Sequence, residues 1–263
     1  MRKRYLVTGV IGLVLVALFL SGSVPAGIKA QTLFKYYFPI NFKAEPTRFD
    51  DFADADPAWH VTYLMSIPSN PDLLSDCRPE RSLYFCEIKD NADRVVSSPG
   101  WRPLGDFALE VDARFDAPQT FPPDLPVFQT RNGLGMVFSG SDNWYQYYAY
   151  MLGFWGSQPA WSVQRFDGIN KGENVSLSAY GGAPPYVKGF DGWNHLTVVR
   201  VKDLIYVYAN GYQMPMPAPY YDYIRDGTYG TNRLVGLTVT SWEVNFGKME
   251  FDNFRLTPLS MPY

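Results

Sequence analysis

Trp193-Asn194-His195-Leu196-Thr197-Val198-Val199-Arg200-Val201 is followed at once by Lys202-Asp203 and then by Leu204-Ile205-Tyr206-Val207-Tyr208-Ala209-Asn210-Gly211. Two runs rich in β-branched and aromatic residues, parted by a two-residue polar spacer, predict a β-hairpin. Asn210-Gly211 predicts a second tight turn directly after it, because both residues tolerate the positive φ that a type I′ turn demands.

The same texture extends in both directions. Phe107, Leu109, Val111, Ala113 and Phe115 alternate with Ala108, Glu110, Asp112 and Arg114, as in a half-buried strand with a polar outer face. Gly133–Ser139 and Trp144–Leu152 flank the turn Gly140-Ser141-Asp142-Asn143 and predict another hairpin. Trp161–Phe166, Leu234–Trp242 and Met249–Leu256 read as further strands. No stretch holds a 3.6-residue period for three turns without Gly or Pro, and no internal repeat is visible. The 19 Tyr and 18 Phe favour strands, and the 22 Gly and 21 Pro supply turns. Many short antiparallel strands predict a sandwich or barrel.

The chain of 263 residues suits one large β domain, and 19% charged against 17% aromatic residues argues for a core rather than disorder. A net charge of −3 leaves no basic surface for nucleic acid. Met1-Arg2-Lys3-Arg4 followed by the apolar Leu6–Leu20 reads as a secretory signal peptide over residues 1–30, or as an uncleaved membrane anchor. Either way the remainder is exported: a linker or edge strand over 31–46, then one domain over 47–263. In an exported chain the two cysteines, Cys77 and Cys86, read as a disulfide stapling a loop. With only two histidines, His60 and His195, neither a Cys-rich zinc site nor a zinc-protease helix is available.

Gly192-Trp193-Asn194-His195-Leu196-Thr197-Val198, with Ile205-Tyr206-Val207-Tyr208-Ala209-Asn210-Gly211, resembles the laminin-G signature. Gly105-Asp106-Phe107-Ala108-Leu109-Glu110 and the closing Phe251-Asp252-Asn253-Phe254-Arg255-Leu256 resemble secreted concanavalin-like domains, among them keto-disaccharide hydrolase-type domains. The resemblance spans roughly Phe49 to Leu256. It implies an all-β, two-sheet antiparallel jelly-roll sandwich of the lectin–glucanase kind, a fold that hosts binding modules, hydrolases and lyases alike.

Laminarinase-like enzymes place three acidic residues on one strand. Here Glu110 and Asp112 fit the first two places, and Arg114 or Phe115 stands where the third belongs, so these two are weak catalytic candidates. The expected function is a secreted, non-catalytic module for carbohydrate, with Glu110, Asp112, Arg114, Trp144, Tyr148 and Trp155 lining an aromatic and polar groove on the concave sheet. The alternatives are a glycoside-acting hydrolase or lyase, and a structural or adhesive cell-envelope protein. Trp193 and Trp242 are expected in the core. Apolar residues fall at Met249 and Phe251 and then at Phe254 and Leu256, so the phase slips at Asp252-Asn253 and predicts a β-bulge. If first and last strands pair, Asp51 and Asp252 approach and become candidate ligands of a structural Ca²⁺.

Overall fold

The structure is a computed structural model. It describes residues 47–53, 59–63, 76–87, 94–115, 133–155, 158–168, 174–177, 181–189, 192–216, 222–231, 233–240 and 248–259. The segments expected to be a signal peptide or anchor (1–30) and a linker or edge strand (31–46) lie outside them, as does Trp242.

The described residues form strands throughout. In chain order these are β1 (Arg48–Asp50), β2 (His60–Tyr63), β3 (Asp76–Glu80), β4 (Leu83–Glu87), β5 (Arg94–Ser98), β6 (Asp106–Phe115), β7 (Gly133–Gly140), β8 (Gln146–Trp155) and β9 (Gln158–Asp167). They continue with β10 (Asn174–Ser176), β11 (Gly181–Gly182), β12 (Asn194–Val201), β13 (Leu204–Ala209), β14 (Tyr212–Gln213), β15 (Ile224–Arg225), β16 (Leu234–Thr240) and β17 (Lys248–Leu259). Two antiparallel sheets result. A nine-stranded sheet runs β14-β13-β12-β6-β17-β4-β3, with β1 on β17 and β15 on β13. An eight-stranded sheet runs β10-β9-β8-β7-β16-β5-β2, with β11 on β9.

The chain passes repeatedly between the layers, so neighbours in each sheet are distant in sequence. β6 lies between β12 and β17, and β16 between β7 and β5. Both sheets send one set of alternating residues into a shared core: Phe107, Leu109, Val111, Leu196, Val198, Ile205, Val207, Phe251 and Phe254 from the first, and Leu134, Met136, Phe138, Tyr148, Tyr150, Val163, Leu237 and Val239 from the second. A period-two pattern can bury only one face of each strand against a single partner layer, which is why the core is shared.

The turns obey their residues. Asn210 and Gly211 have φ of 53° and 82°, and β14 folds back so that Tyr212 pairs with Ala209. Lys202, at φ 54°, turns β12 into β13, and its backbone NH donates to Asp106 Oδ1 at 2.7 Å. Gly135 is required for a different reason: an added Cβ would collide with the backbone carbonyl of Tyr150 on β8.

The bulge is present. β17 pairs Asp252 with Asp112 and then Arg255 with Glu110, so Asn253 and Phe254 together oppose Val111. Asn253 sits at φ 54°. The extra residue marks a change of partner. β17 keeps β6 on one side, but on the other it pairs with β4 through Phe251 and with β1 from Phe254 onward. Beneath it, Phe52, Trp59, Tyr84 and Phe254 pack with ring centroids 4.8–5.2 Å apart.

Cys77 and Cys86 form a disulfide. It does not close a loop between elements: the two residues are direct partners across the β3–β4 hairpin, with Cα atoms 4.1 Å apart. That spacing belongs to a non-hydrogen-bonded pair, the position at which opposed side chains come closest.

Candidate ligand-binding face

With Leu109, Val111 and Ala113 in the core, Glu110, Asp112 and Arg114 project from the outer face of the nine-stranded sheet. The register supplies their neighbours. His195 on β12 and Asp252 on β17 flank Asp112, and Thr197 and Arg255 flank Glu110. The second row continues to Tyr208 on β13 and Phe49 on β1, so five strands bring Tyr208, Thr197, Glu110, Arg255 and Phe49 into one line. The Arg255 guanidinium lies 5.1 Å from the Phe49 ring, and Tyr206, two residues from Tyr208 on the same face, lies 5.8 Å from the ring of Tyr223.

His195 is the hub of the polar part. Its Nδ1 is 2.7 Å from Asp112 Oδ1 and its Nε2 is 3.4 Å from Glu110 Oε1. Asn253, swung outward by the bulge, donates from Nδ2 to Asp112 Oδ2 at 2.9 Å. The Asn210 turn holds the imidazole in place: His195 NH donates to Asn210 Oδ1 at 2.9 Å, and Asn210 NH donates to His195 O at 2.7 Å. Hydrogen bonds to Asp112 and then Glu110 outweigh the burial that opposes the charge, and raise His195 to about 9. Burial pulls Asp112 upward, but the bonds from His195 and Asn253 and the charges of His195 and Arg255 hold its carboxyl below the usual range. The site is therefore an imidazolium clamped by two carboxylates.

The linkage follows from those directions. His195 contributes stability that is complete below about 6.5 and is lost as pH rises through about 9. Asp112 contributes stability that is present above 3.8 and is lost as pH falls through its depressed value. Thermal melts of the wild-type protein should therefore show a plateau between these limits and decline above neutrality. His195→Gln should remove the alkaline decline; an unchanged alkaline limb in that variant would assign it to other groups.

Arg114 is engaged as well. It pairs with Glu250, and its guanidinium lies 4.7 Å above the ring of Trp193. Trp193 is thus not the core residue expected of it: it is half-buried on the outer face, one position before the inward alternation of β12 begins.

The remaining candidates lie elsewhere. Tyr148 belongs to the other sheet and points inward. It is 0% exposed, and its hydroxyl donates to Asp226 Oδ1 at 2.8 Å. Trp144 is 3% exposed and lies on the far side of that sheet, in a separate apolar cluster with Val96, Val137, Tyr147, Ala149, Met151, Phe166 and Leu234. Its φ of 57° breaks the alternation that was expected to place it beside Tyr148. Trp155 pairs with Gln158 at the tip of the β8–β9 hairpin, and Trp161 is a core residue of β9, within the strand expected over Trp161–Phe166. The single groove expected from these residues is therefore divided. Glu110, Asp112 and Arg114 stay together, while Tyr148 and Trp144 lie in the core and beyond the second sheet.

A calcium ion takes six to eight oxygens, and among the described residues the acids near Asp51 and Asp252 are engaged within the protein. Asp50 accepts from Phe52 NH and Trp59 Nε1, Asp51 accepts from Ala53 NH, and Asp112 is occupied by His195 and Asn253. Burial, and the charges of Asp112 and Asp51, raise Asp252. Among the described residues no group of three or more His, Cys, Asp or Glu is arranged to hold a metal.

No family model matches the chain, and no curated protein matches it by sequence. Solved structures do match in shape. A galectin-like protein from Bacillus subtilis superposes with a TM-score of 0.52 at 9% identity, covering 83% of this chain and 99% of that one. The catalytic domain of an endo-1,3-β-glucanase (laminarinase) from Thermotoga petrophila gives 0.52 at 10% identity, over 83% and 99%. The exoplasmic/lumenal domain of VIP36, in a Ca²⁺/Man2-bound form, gives 0.52 at 9%, over 82% and 89%. At such identities the path of the chain is what is shared, and by that path the protein has the concanavalin A-like, galectin-like jelly-roll fold of lectins and glucanases.

Proposed function

We propose that the protein is an exported carbohydrate-binding module whose ligand lies across the outer face of the nine-stranded sheet. The observation that carries the reading is the cross-strand line Tyr208–Thr197–Glu110–Arg255–Phe49, with His195, Asp112 and Asn253 beside it. A sugar ring offers hydroxyls to planar charged groups and a C–H face to aromatic rings, and this face sets both kinds of partner in register. One solved neighbour in shape is a glucanase and another carries Man2, which agrees with the reading at the level of fold.

Binding is favoured over cleavage by how the carboxylates are used. A glycosidase needs two carboxyl groups flanking the scissile bond, one of them keeping its proton near neutrality. Here Glu110 and Asp112 are both turned onto His195, Asp112 is held ionised, and the third acidic place falls on Arg114, which pairs with Glu250, or on Phe115, which is buried. Export rests on the basic and apolar start of the chain together with the Cys77–Cys86 disulfide, which suits an oxidising compartment.

A broad glycan array followed by calorimetry tests the proposal. Glu110→Gln and Tyr208→Ala should each weaken the selected glycan about tenfold or more, roughly 1.4 kcal/mol, with the circular dichroism unchanged. An array without a binder ends the carbohydrate reading. Reducing-sugar release from mixed polysaccharides, abolished by Glu110→Gln, would make the protein an enzyme instead.

A further inference from the structure

The interior of the sandwich contains a charge that no carboxylate among the described residues neutralises. Arg200 shares the inward phase of Leu196 and Val198 and is 0% exposed. Its Nη2 donates to the backbone oxygen of Tyr229 at 3.0 Å, and its guanidinium lies 5.1 Å from the ring of Tyr148. Its Nε and Nη1 are buried and have no hydrogen-bond partner among the described residues. Arg233 lies against the same group: its guanidinium is 5.1 Å from the ring of Tyr229, and its Nη1 is likewise buried without a partner. The Tyr148 and Tyr229 rings are 5.2 Å apart.

The acids nearby are already engaged. Arg165 pairs with both Asp167 and Asp226. Asp226 also accepts from the Tyr148 hydroxyl and from Thr228 NH, and Asp167 accepts from the Tyr229 hydroxyl. Asp203, the other acid whose field reaches Arg200, faces Arg225 at 3.6 Å. Arg165, Arg200 and Arg233 thus share two carboxylates, Asp167 and Asp226, and one positive charge is left over. A buried guanidinium with most of its N–H groups unmet is costly.

We propose that Arg200 and Arg233 hold a small monovalent anion, of the halide class, against Tyr148 and Tyr229. The unmet groups are all donors, and a water molecule placed there would bring two hydrogens of its own toward acceptors that are already bonded. A single negative charge balances the excess. The closed surroundings of Arg200 favour a monatomic ion over a carboxylate-bearing sugar, so the site is separate from the glycan face.

The test is a thermal melt of the domain in which sodium chloride replaces sodium gluconate at constant ionic strength. The account expects a saturable rise of about 3 °C at tenfold the dissociation constant, absent in Arg233→Gln. Because Arg200→Met alters a fully buried position and puts folding at risk, the second measurement uses the wild-type protein: crystals grown in bromide should show an anomalous peak in contact with Arg200 Nη1 and Arg233 Nη1. A melting temperature indifferent to the anion, an equal rise in Arg233→Gln, or a bromide map without that peak would each overturn the proposal.

Discussion

Tyr148→Ala should destabilise the domain by about 4 kcal/mol or more, in the range of large-to-small changes at fully buried aromatic positions. The ring is stacked on Phe138 at 5.4 Å and packs against Tyr229 and Arg200. Its hydroxyl accepts from Tyr229 NH at 3.2 Å while donating to Asp226. Truncation therefore opens a cavity and leaves a buried NH and a buried guanidinium without their neighbour. Tyr148→Phe separates the two effects. It keeps the ring and should cost about 1–3 kcal/mol for the unmet polar groups. Urea unfolding of both variants checks the ordering. A near-neutral Tyr148→Ala with reduced glycan affinity would put the ring back on a ligand surface and contradict its placement in the core.

Removing the disulfide is the second large effect. Cys77 and Cys86 are nine residues apart, and closing so short a loop contributes about 3 kcal/mol in the chain-entropy model. The location sharpens the expectation. Among the described residues β3 is the edge of the nine-stranded sheet, contains Pro79, and is joined to the sheet only through β4. Loss of the crosslink should therefore loosen the edge before the centre. In Cys77→Ala/Cys86→Ala, the denaturation midpoint should fall by the equivalent of about 3 kcal/mol, and amide exchange should quicken over 76–87 more than over β6 or β12. Equal midpoints with and without the bond would mean that the β3–β4 hairpin is fixed by packing alone.

What could be read in advance was local. The Asn210-Gly211 turn follows from the φ tolerance of its residues, and the bulge follows from the slipped phase between Phe251 and Phe254. The outward row Glu110, Asp112, Arg114 follows from strict alternation in β6. What failed was alternation carried across a break: Trp144 takes a positive φ and leaves the face of Tyr148. What was missed was cross-strand. His195 belongs to the signature that points to the fold, but nothing within β12 says that β6 will lie beside it with Asp112 opposite. Arg200 was different, because its signal was present. Leu196 and Val198 fix the inward phase of β12, and the next residue in that phase is an arginine.

Amide hydrogen exchange with and without a glycan selected from the array tests the location of the binding face most directly. The account predicts slowed exchange over 108–114, 195–199, 206–208 and 253–257, on strands that are neighbours only through the register of the nine-stranded sheet. Protection confined to β8, β9 and β16, with none on those four segments, would place the ligand on the opposite sheet and contradict it.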